Sequence, residues 1–346
     1  MKKKYLAMLL ALAMLLACLT GCSKEGKEDD QQGGNDQQQD QQGEKKTYKI
    51  AWICESTIAD GGWNQDGYDT INALAQEYGF EVSCQENVPS TEVADAYRNY
   101  ANEGYDLIID NEQYHCEPMA EVAPEFPNTT FACINAYVSA DNMIGISGDM
   151  WQHIYLSGVM AGLATKSNKI GIITFSTTSD SAVTMKTAFE AGAKLVNDKV
   201  EMIHVATGSF SDLDKGKEMA ISLIEQGCDV ILCNSGDCNT TVIDTCTQRG
   251  VYSIGAIVDR NSMSADYVLG SAMLPTSNMT RMIVEGFLNG TMKGSSTVQV
   301  GGLAEGIEEF RVNESMRSKF DQSVFDKLDE VKADIISGKI TNPLSK

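Results

Sequence analysis

Carboxylates, amides and aromatic rings recur in this sequence directly after short apolar runs. Glu55 leads into Asp60-Gly61-Gly62-Trp63-Asn64-Gln65, and later runs are followed by Asp110-Asn111-Glu112 and Asn135-Ala136-Tyr137. Further along come Thr207-Gly208-Ser209-Phe210-Ser211-Asp212, then Asn234-Ser235-Gly236-Asp237, then Asp259-Arg260. Such side chains exchange hydrogen bonds and offer flat faces for stacking, the chemistry of holding a small polar molecule. Catalytic signatures are missing: the chain has no Gly-x-x-x-x-Gly-Lys-Ser/Thr phosphate loop, Gly-x-Ser-x-Gly elbow or His-Glu-x-x-His site, and His115, His153 and His204 are scattered. We therefore expect a binding protein and not an enzyme. Acids in a cleft can also hydrolyse, which leaves a calcium-dependent nucleosidase as the alternative.

Side chains placed this way need strands to carry them. Ile50 to Cys54, Leu107 to Ile109, Phe131 to Ile134, Ile170 to Ile173 and Val230 to Cys233 are continuously apolar, the pattern of strands covered on both faces. Between them Tyr68, Ile71, Leu74, Ala75 and Tyr78 share one helical face, as do Met185, Phe189 and Val196, and then Met219, Ala220, Leu223 and Ile224. Alternating strand and helix predicts an α/β chain with doubly wound parallel sheets, whose ligands sit beyond the carboxyl ends of the strands. The body from Thr47 to Lys346 exceeds a typical single domain and suits two lobes, each with its own core. We expect residues 47–166 with about 275–300 in the first lobe, and 167–274 with about 301–346 in the second. The first crossing is expected within Gly158 to Lys169 and the return near Leu274 to Thr276, which together would form a hinge.

Ahead of this body stand Lys2 to Lys4, an apolar run from Tyr5 to Leu19, and Leu19-Thr20-Gly21-Cys22. The run is shorter than a bilayer-crossing helix and ends in small residues, so 1–21 reads as a secretory signal. The last four residues resemble a lipobox, which would make Cys22 the lipid-bearing start of the mature chain on the outer face of a cell membrane. Residues 23–46 lack aromatic and β-branched side chains and read as a disordered tether with a reach of roughly 25 to 30 Å. The formal charge of −21 disfavours nucleic acid as a partner. Of the ten cysteines, Cys54, Cys133 and Cys233 lie in apolar runs and read as packing, and the spacing of Cys228, Cys233, Cys238 and Cys246 is not that of a zinc site. We expect no metal and no cofactor.

Taken in order, the lipobox, Gly62-Trp63-Asn64-Gln65, Gly208-Ser209-Phe210-Ser211-Asp212 with Lys215-Gly216-Lys217, and Gln226-Gly227-Cys228-Asp229-Val230-Ile231 resemble the basic membrane protein family. That family includes purine nucleoside receptors, solute-binding lipoproteins that serve ABC importers, and the resemblance runs from about Lys49 to Gly306. It implies a type I periplasmic-binding-protein fold, a monomer whose partners are a permease and an ATPase, and a purine held between two rings. Trp63 matches the first ring position and Phe210 the second. The alternative for these two is core or interface packing. Glu55 and Asn135 match positions where the family often has Asp, and Asn64, Asn111, Gly236, Asp237 and Asp259 complete the expected ligand set. The chain departs from the pattern at Gly255-Ala256-Ile257, where the family has Gly-Val-Asp, and at Leu274, where it has Lys. Those losses remove sugar partners and favour a nucleobase or another small molecule over an intact nucleoside. Glu86-Asn87-Val88-Pro89 resembles a branch with tryptophan at the first ring position. A lipid-anchored sensor reporting ligand occupancy to a signalling partner would use the same pocket.

Overall fold

The computed structural model describes residues 46–345. The signal, Cys22 and all but the end of the tether lie outside the described residues. The first sheet draws on β1 (Lys49–Ile53), β2 (Glu81–Gln85), β3 (Leu107–Asp110), β4 (Thr130–Ile134) and β5 (Met143–Gly148). Between them run α1 (Trp63–Tyr78), α2 (Val93–Asn102) and α3 (Cys116–Val122). After α4 (Gln152–Ala164) come β6 (Lys169–Thr174), α5 (Asp180–Val196), β7 (Glu201–Ala206), α6 (Leu213–Glu225), β8 (Val230–Asn234), α7 (Cys238–Arg249), β9 (Tyr252–Ile257) and β10 (Val268–Met273). The chain ends with α8 (Thr276–Leu288), β11 (Gln299–Gly301), β12 (Glu309–Val312) and α9 (Gln322–Ile336). Among the described residues, no helix is long and apolar enough to cross a membrane.

Two six-stranded sheets result, ordered β11-β5-β4-β3-β1-β2 and β12-β10-β9-β8-β6-β7. Their pairings are parallel except for β12 at the edge of the second sheet. The continuously apolar runs form strands buried along almost their whole length, because helices cover both faces. In the first sheet Trp52 and Ile109 face Ile71, Leu74 and Ile283, while Ala51 and Ile108 face Tyr97 and Met119. The second repeats the arrangement, with Ile172 and Leu232 against Val159 and Phe189, and Ile231 and Cys233 against Leu223 and Val242. In both sheets the strand order reverses beside the first strand, between β1 and β3 and between β6 and β8. Loops leave opposite faces there, opening a crevice at the carboxyl ends.

Helix α4, buried on nearly every side, belongs to the core of the second sheet, and α8 to that of the first. The chain therefore passes between the cores at residues 149–151, 274–275 and 302–308. A buried carboxylate holds these crossings together. Glu308 accepts the Met150 and His153 backbone N–H groups and lies 2.7 Å from His153 Nδ1. A Cβ on Gly148 would come within 2.6 Å of Leu274 Cδ1 and 3.1 Å of Glu308 Oε1, so the three segments touch. Burial opposes charge on Glu308, but His153 and the donors around it hold its carboxyl below the ordinary range. Asp149 is pushed up to about 6, by burial first and then by Glu308.

Candidate functional site

On the first lobe, Asp60 builds the turn that presents Trp63. Its carboxylate accepts the N–H groups of Gly62, Asn64 and Gln65 at 2.9, 2.9 and 3.1 Å, satisfying donors left free at the start of α1. Trp63 then stands at the first helical position. Its indole Nε1 donates to the Asn111 carbonyl at 2.6 Å, and the Asn111 amide donates to the Trp63 carbonyl at 3.2 Å and to Asn64 Oδ1 at 3.0 Å. Asn64 and Asn111 are thus buried struts that fix the ring from behind.

The segment after β3 is anchored by Asp110, which accepts from the Tyr97 hydroxyl at 2.7 Å and the Glu112 N–H at 2.9 Å, and lies 3.0 Å from His115 Nδ1. Burial works against charge on His115, yet the Asp110 contact leaves its pKa above the usual histidine range. Glu112 is pushed up to about 7, chiefly by burial and then by Asp110 and Glu55, while the Tyr114 N–H bonded to it opposes the shift. On the neighbouring strand end, the Asn135 amide donates to Gln113 Oε1 at 2.9 Å and its carbonyl oxygen accepts from Ser147 at 3.1 Å.

On the second lobe, Phe210 lies flat on Phe175, with ring centroids 4.3 Å apart and planes 12° from parallel. The loop beneath is knotted by hydroxyls: Thr207 Oγ1 donates to the Ser209 carbonyl at 2.7 Å and accepts from Ser235 Oγ at 2.7 Å. The Asp237 N–H donates to the Phe210 carbonyl at 2.8 Å. Gly236 has a left-handed φ of 49°, and a Cβ there would come within 2.5 Å of the Phe210 carbonyl oxygen, so only glycine lets the two loops approach.

A cavity of about 290 Å³ lies between these constructions. Trp63, Glu112, Gln113, Tyr114 and Asn135 line it from the first lobe. Phe210, Asn234, Gly236 and Ile257 line it from the second. Larger hollows of about 470 and 480 Å³ sit near Asn142 and near Asn197, away from the carboxyl ends of the strands. The cavity wall includes backbone in uncommon conformations, with φ of 58° at Asn135 and 74° at Ile257. Asparagine tolerates this region, whereas for a β-branched residue it stores about 1–3 kcal/mol of strain.

Of the residues expected from the sequence, Trp63, Asn135, Phe210 and Gly236 share this cavity. Glu55 is exposed and meets Ser90 at 3.4 Å, Asp237 is exposed at the start of α7, and Asp259 is paired with Arg311 at 3.0 Å. Glu112 and Asn234 stood in the strand-end runs noted above but outside the expected ligand set. Gln113 and Tyr114 carry on one of those runs and were missed; their position just beyond Glu112 was the available signal. Ile257 entered the sequence reading only as a lost acid, yet it forms part of the wall.

The profile of the Bmp family, ABC transporter substrate-binding proteins of the PnrA-like kind, matches residues 47–345. Basic membrane protein A of Borreliella afzelii is 22% identical over 305 residues, which cover 86% of this chain and 92% of that protein. A putative ABC transporter glucose-binding protein of Haloferax volcanii is 28% identical over 189 residues, or 54% of this chain and 48% of the other. That match spans about half the length of the Haloferax protein. The crystal structure of an ABC transporter system solute-binding protein from Aeropyrum pernix K1 superimposes with a TM-score of 0.74 at 19% identity, covering 85% of this chain and 92% of that one. At that identity the likeness is one of fold.

Proposed function

Since the chain belongs to the PnrA-like family of ABC transporter substrate-binding proteins, a family of solute receptors and not of enzymes, we propose that it captures a purine base or nucleoside between its lobes for an importer. The observation that carries this reading is the single cavity shared by Trp63 and Phe210, one ring from each lobe. Flat, low-entropy side chains suit a planar heterocycle, and each stack contributes about 1–3 kcal/mol. Phe175 behind Phe210 keeps that ring in place. The small volume and the apolar Ile257 in the wall favour a base over a ribosylated form.

The lobes divide at the crossings near residues 149–151, 274–275 and 302–308, so that α4 moves with the second lobe. Ligand touching both lobes selects the closed form, which a permease and its ATPase then engage. Lipid on Cys22 keeps the receptor on the outer face of the membrane, as the names of the basic membrane protein relatives support.

Calorimetry tests the reading. Hypoxanthine, guanine and guanosine are titrated into the wild type, Trp63→Ala and Phe210→Ala, and each substitution should weaken binding at least tenfold. Near-wild-type affinity in both variants would refute the stacking arrangement. A second reading, a hexose, is favoured by the Haloferax relative named for glucose, and amide-lined cavities with aromatic walls also hold sugars. Glucose binding with no purine binding would replace the first reading with the second.

A further inference from the structure

Among the described residues, Glu112 is the one acidic side chain in the wall of the cavity between Trp63 and Phe210, and the wall holds no lysine, arginine or histidine. The main chain of Glu112 is turned into the first lobe. Its N–H donates to Asp110 Oδ1 at 2.9 Å, and its carbonyl accepts from the His115 N–H at 3.1 Å and from the Cys133 thiol at 3.4 Å. The side chain is what remains to face the cavity. Oε1 accepts the Tyr114 N–H at 3.3 Å, while among the described residues Oε2 accepts no hydrogen bond.

No cation neutralises this carboxyl. Burial disfavours its charge most, and Asp110 on the same segment and Glu55 after β1 disfavour it further; only the Tyr114 N–H and His115 favour it. His115 is already bonded to Asp110. The Cys133 thiol on β4 is itself pushed well up by burial and stays uncharged. Across the cavity the second lobe presents Phe210, Asn234, Gly236 and Ile257, none of them charged. Arg260, whose charge burial opposes and Asp237 and Asp60 favour, is not part of the wall. The amides of Gln113, Asn135 and Asn234 supply neutral donors and acceptors. An anion entering here meets a carboxylate with no compensating cation, between low-dielectric walls that strengthen the repulsion.

We propose that Glu112 is the charge-selecting residue of the cleft, so that the cavity takes uncharged solutes and rejects anionic ones of the same shape. This rests on the cavity being the ligand site proposed above. It holds for a base or a hexose alike, since it depends on net charge and on no particular orientation of the ligand. The selection varies with pH. Because Glu112 is pushed up to about 7, its carboxyl is mostly neutral near pH 6 and mostly ionised near pH 8. Anions are therefore rejected most strongly on the alkaline side of neutrality.

The test is calorimetric titration of hypoxanthine, which is uncharged, and urate, a purine that carries one negative charge, into wild type, Glu112→Gln and Glu112→Asp near pH 6 and pH 8. At the higher pH wild type should bind urate at least tenfold more weakly than hypoxanthine. Its urate affinity should fall at least fivefold between the two conditions, which is readable without any variant. Glu112→Gln, which keeps the shape without the charge, should narrow the gap between the two purines at least fivefold and hold its urate affinity within twofold across the same range. Glu112→Asp, retaining the charge, should go on rejecting urate. Equal wild-type affinity for the two purines near pH 8, no relative gain for urate in Glu112→Gln, or the same pH profile in both proteins overturns the role of Glu112 while leaving the purine reading standing. Should hypoxanthine, guanine and guanosine all be inert and glucose bind, glucose and glucuronate replace the two purines and the same outcomes decide. If neither purines nor glucose bind wild type, the ligand-site reading and the role of Glu112 are both overturned.

Discussion

Replacing Glu112 with Gln isolates one carboxyl whose surroundings disfavour its charge. Its pKa rises from the ordinary 4.5 to about 7, by burial first and by the neighbouring charges of Asp110 and Glu55 next. The folded protein thus holds this proton where the unfolded chain has released it, and stability falls as pH climbs from 4.5 toward 7. Above that window the unfavourable contribution is complete, and the gap corresponds to roughly 3 kcal/mol. Glutamine keeps the shape and an oxygen to accept the Tyr114 N–H, which now lies 3.3 Å from Glu112 Oε1, but it never ionises. Glu112→Gln should match wild type near pH 4.5 and exceed it increasingly up to pH 8. There its melting temperature should be higher by about 5 to 10 °C, given a few degrees per kcal/mol for a chain of this size. Asp149, whose pKa is also raised, tilts both curves the same way and cancels in the difference. Burial opposes charge on His115, but Asp110 and in part Glu112 itself raise its pKa, so the variant also loses a little of that shift. Thermal melts of both proteins at half-unit steps of pH supply the comparison. A difference that does not vary with pH, or a variant less stable than wild type at pH 8, would refute the reasoning.

Gly192→Ala should cost about 2–3 kcal/mol in urea unfolding, because its Cβ would come within 2.0 Å of the Tyr155 carbonyl oxygen and drive α4 from α5. Glu308→Ala strips the acceptor from His153 and from two backbone N–H groups, and should lower stability by about 3–5 kcal/mol at pH 7. Since the Glu308 pKa is depressed, its charge contributes above the ordinary carboxylate range and is lost as pH falls through its folded value. The gap between Glu308→Ala and wild type should therefore narrow in acid, as followed by circular dichroism. Asp212 accepts the Lys215 N–H at 3.2 Å at the start of α6, so Asp212→Ala should cost about 1 kcal/mol by chemical denaturation.

Fold class was legible because periodicity is a local property. A run such as Ile170 to Ile173, apolar at every position, has few stable homes other than a strand covered on both faces, and β6 is that strand. The edge strands β2 and β7 left no such mark, since their half-exposed residues need not be apolar throughout. Strand ends could likewise be found from sequence, and with them the loops carrying Trp63 and Phe210. Which side chains meet in the cavity was a matter of tertiary structure. Asn64 and Asn111 turned inward to brace Trp63, and Asp259 was drawn off by Arg311. Phe175 came to lie beneath Phe210, and Arg260 reached the Gly62 turn of the other lobe. Stacking, ion pairing and the raised pKa of Glu112 depend on distances across the fold and on exclusion of water. Neighbours in sequence encode the elements, while those distances exist only once each sheet and its helices have packed together.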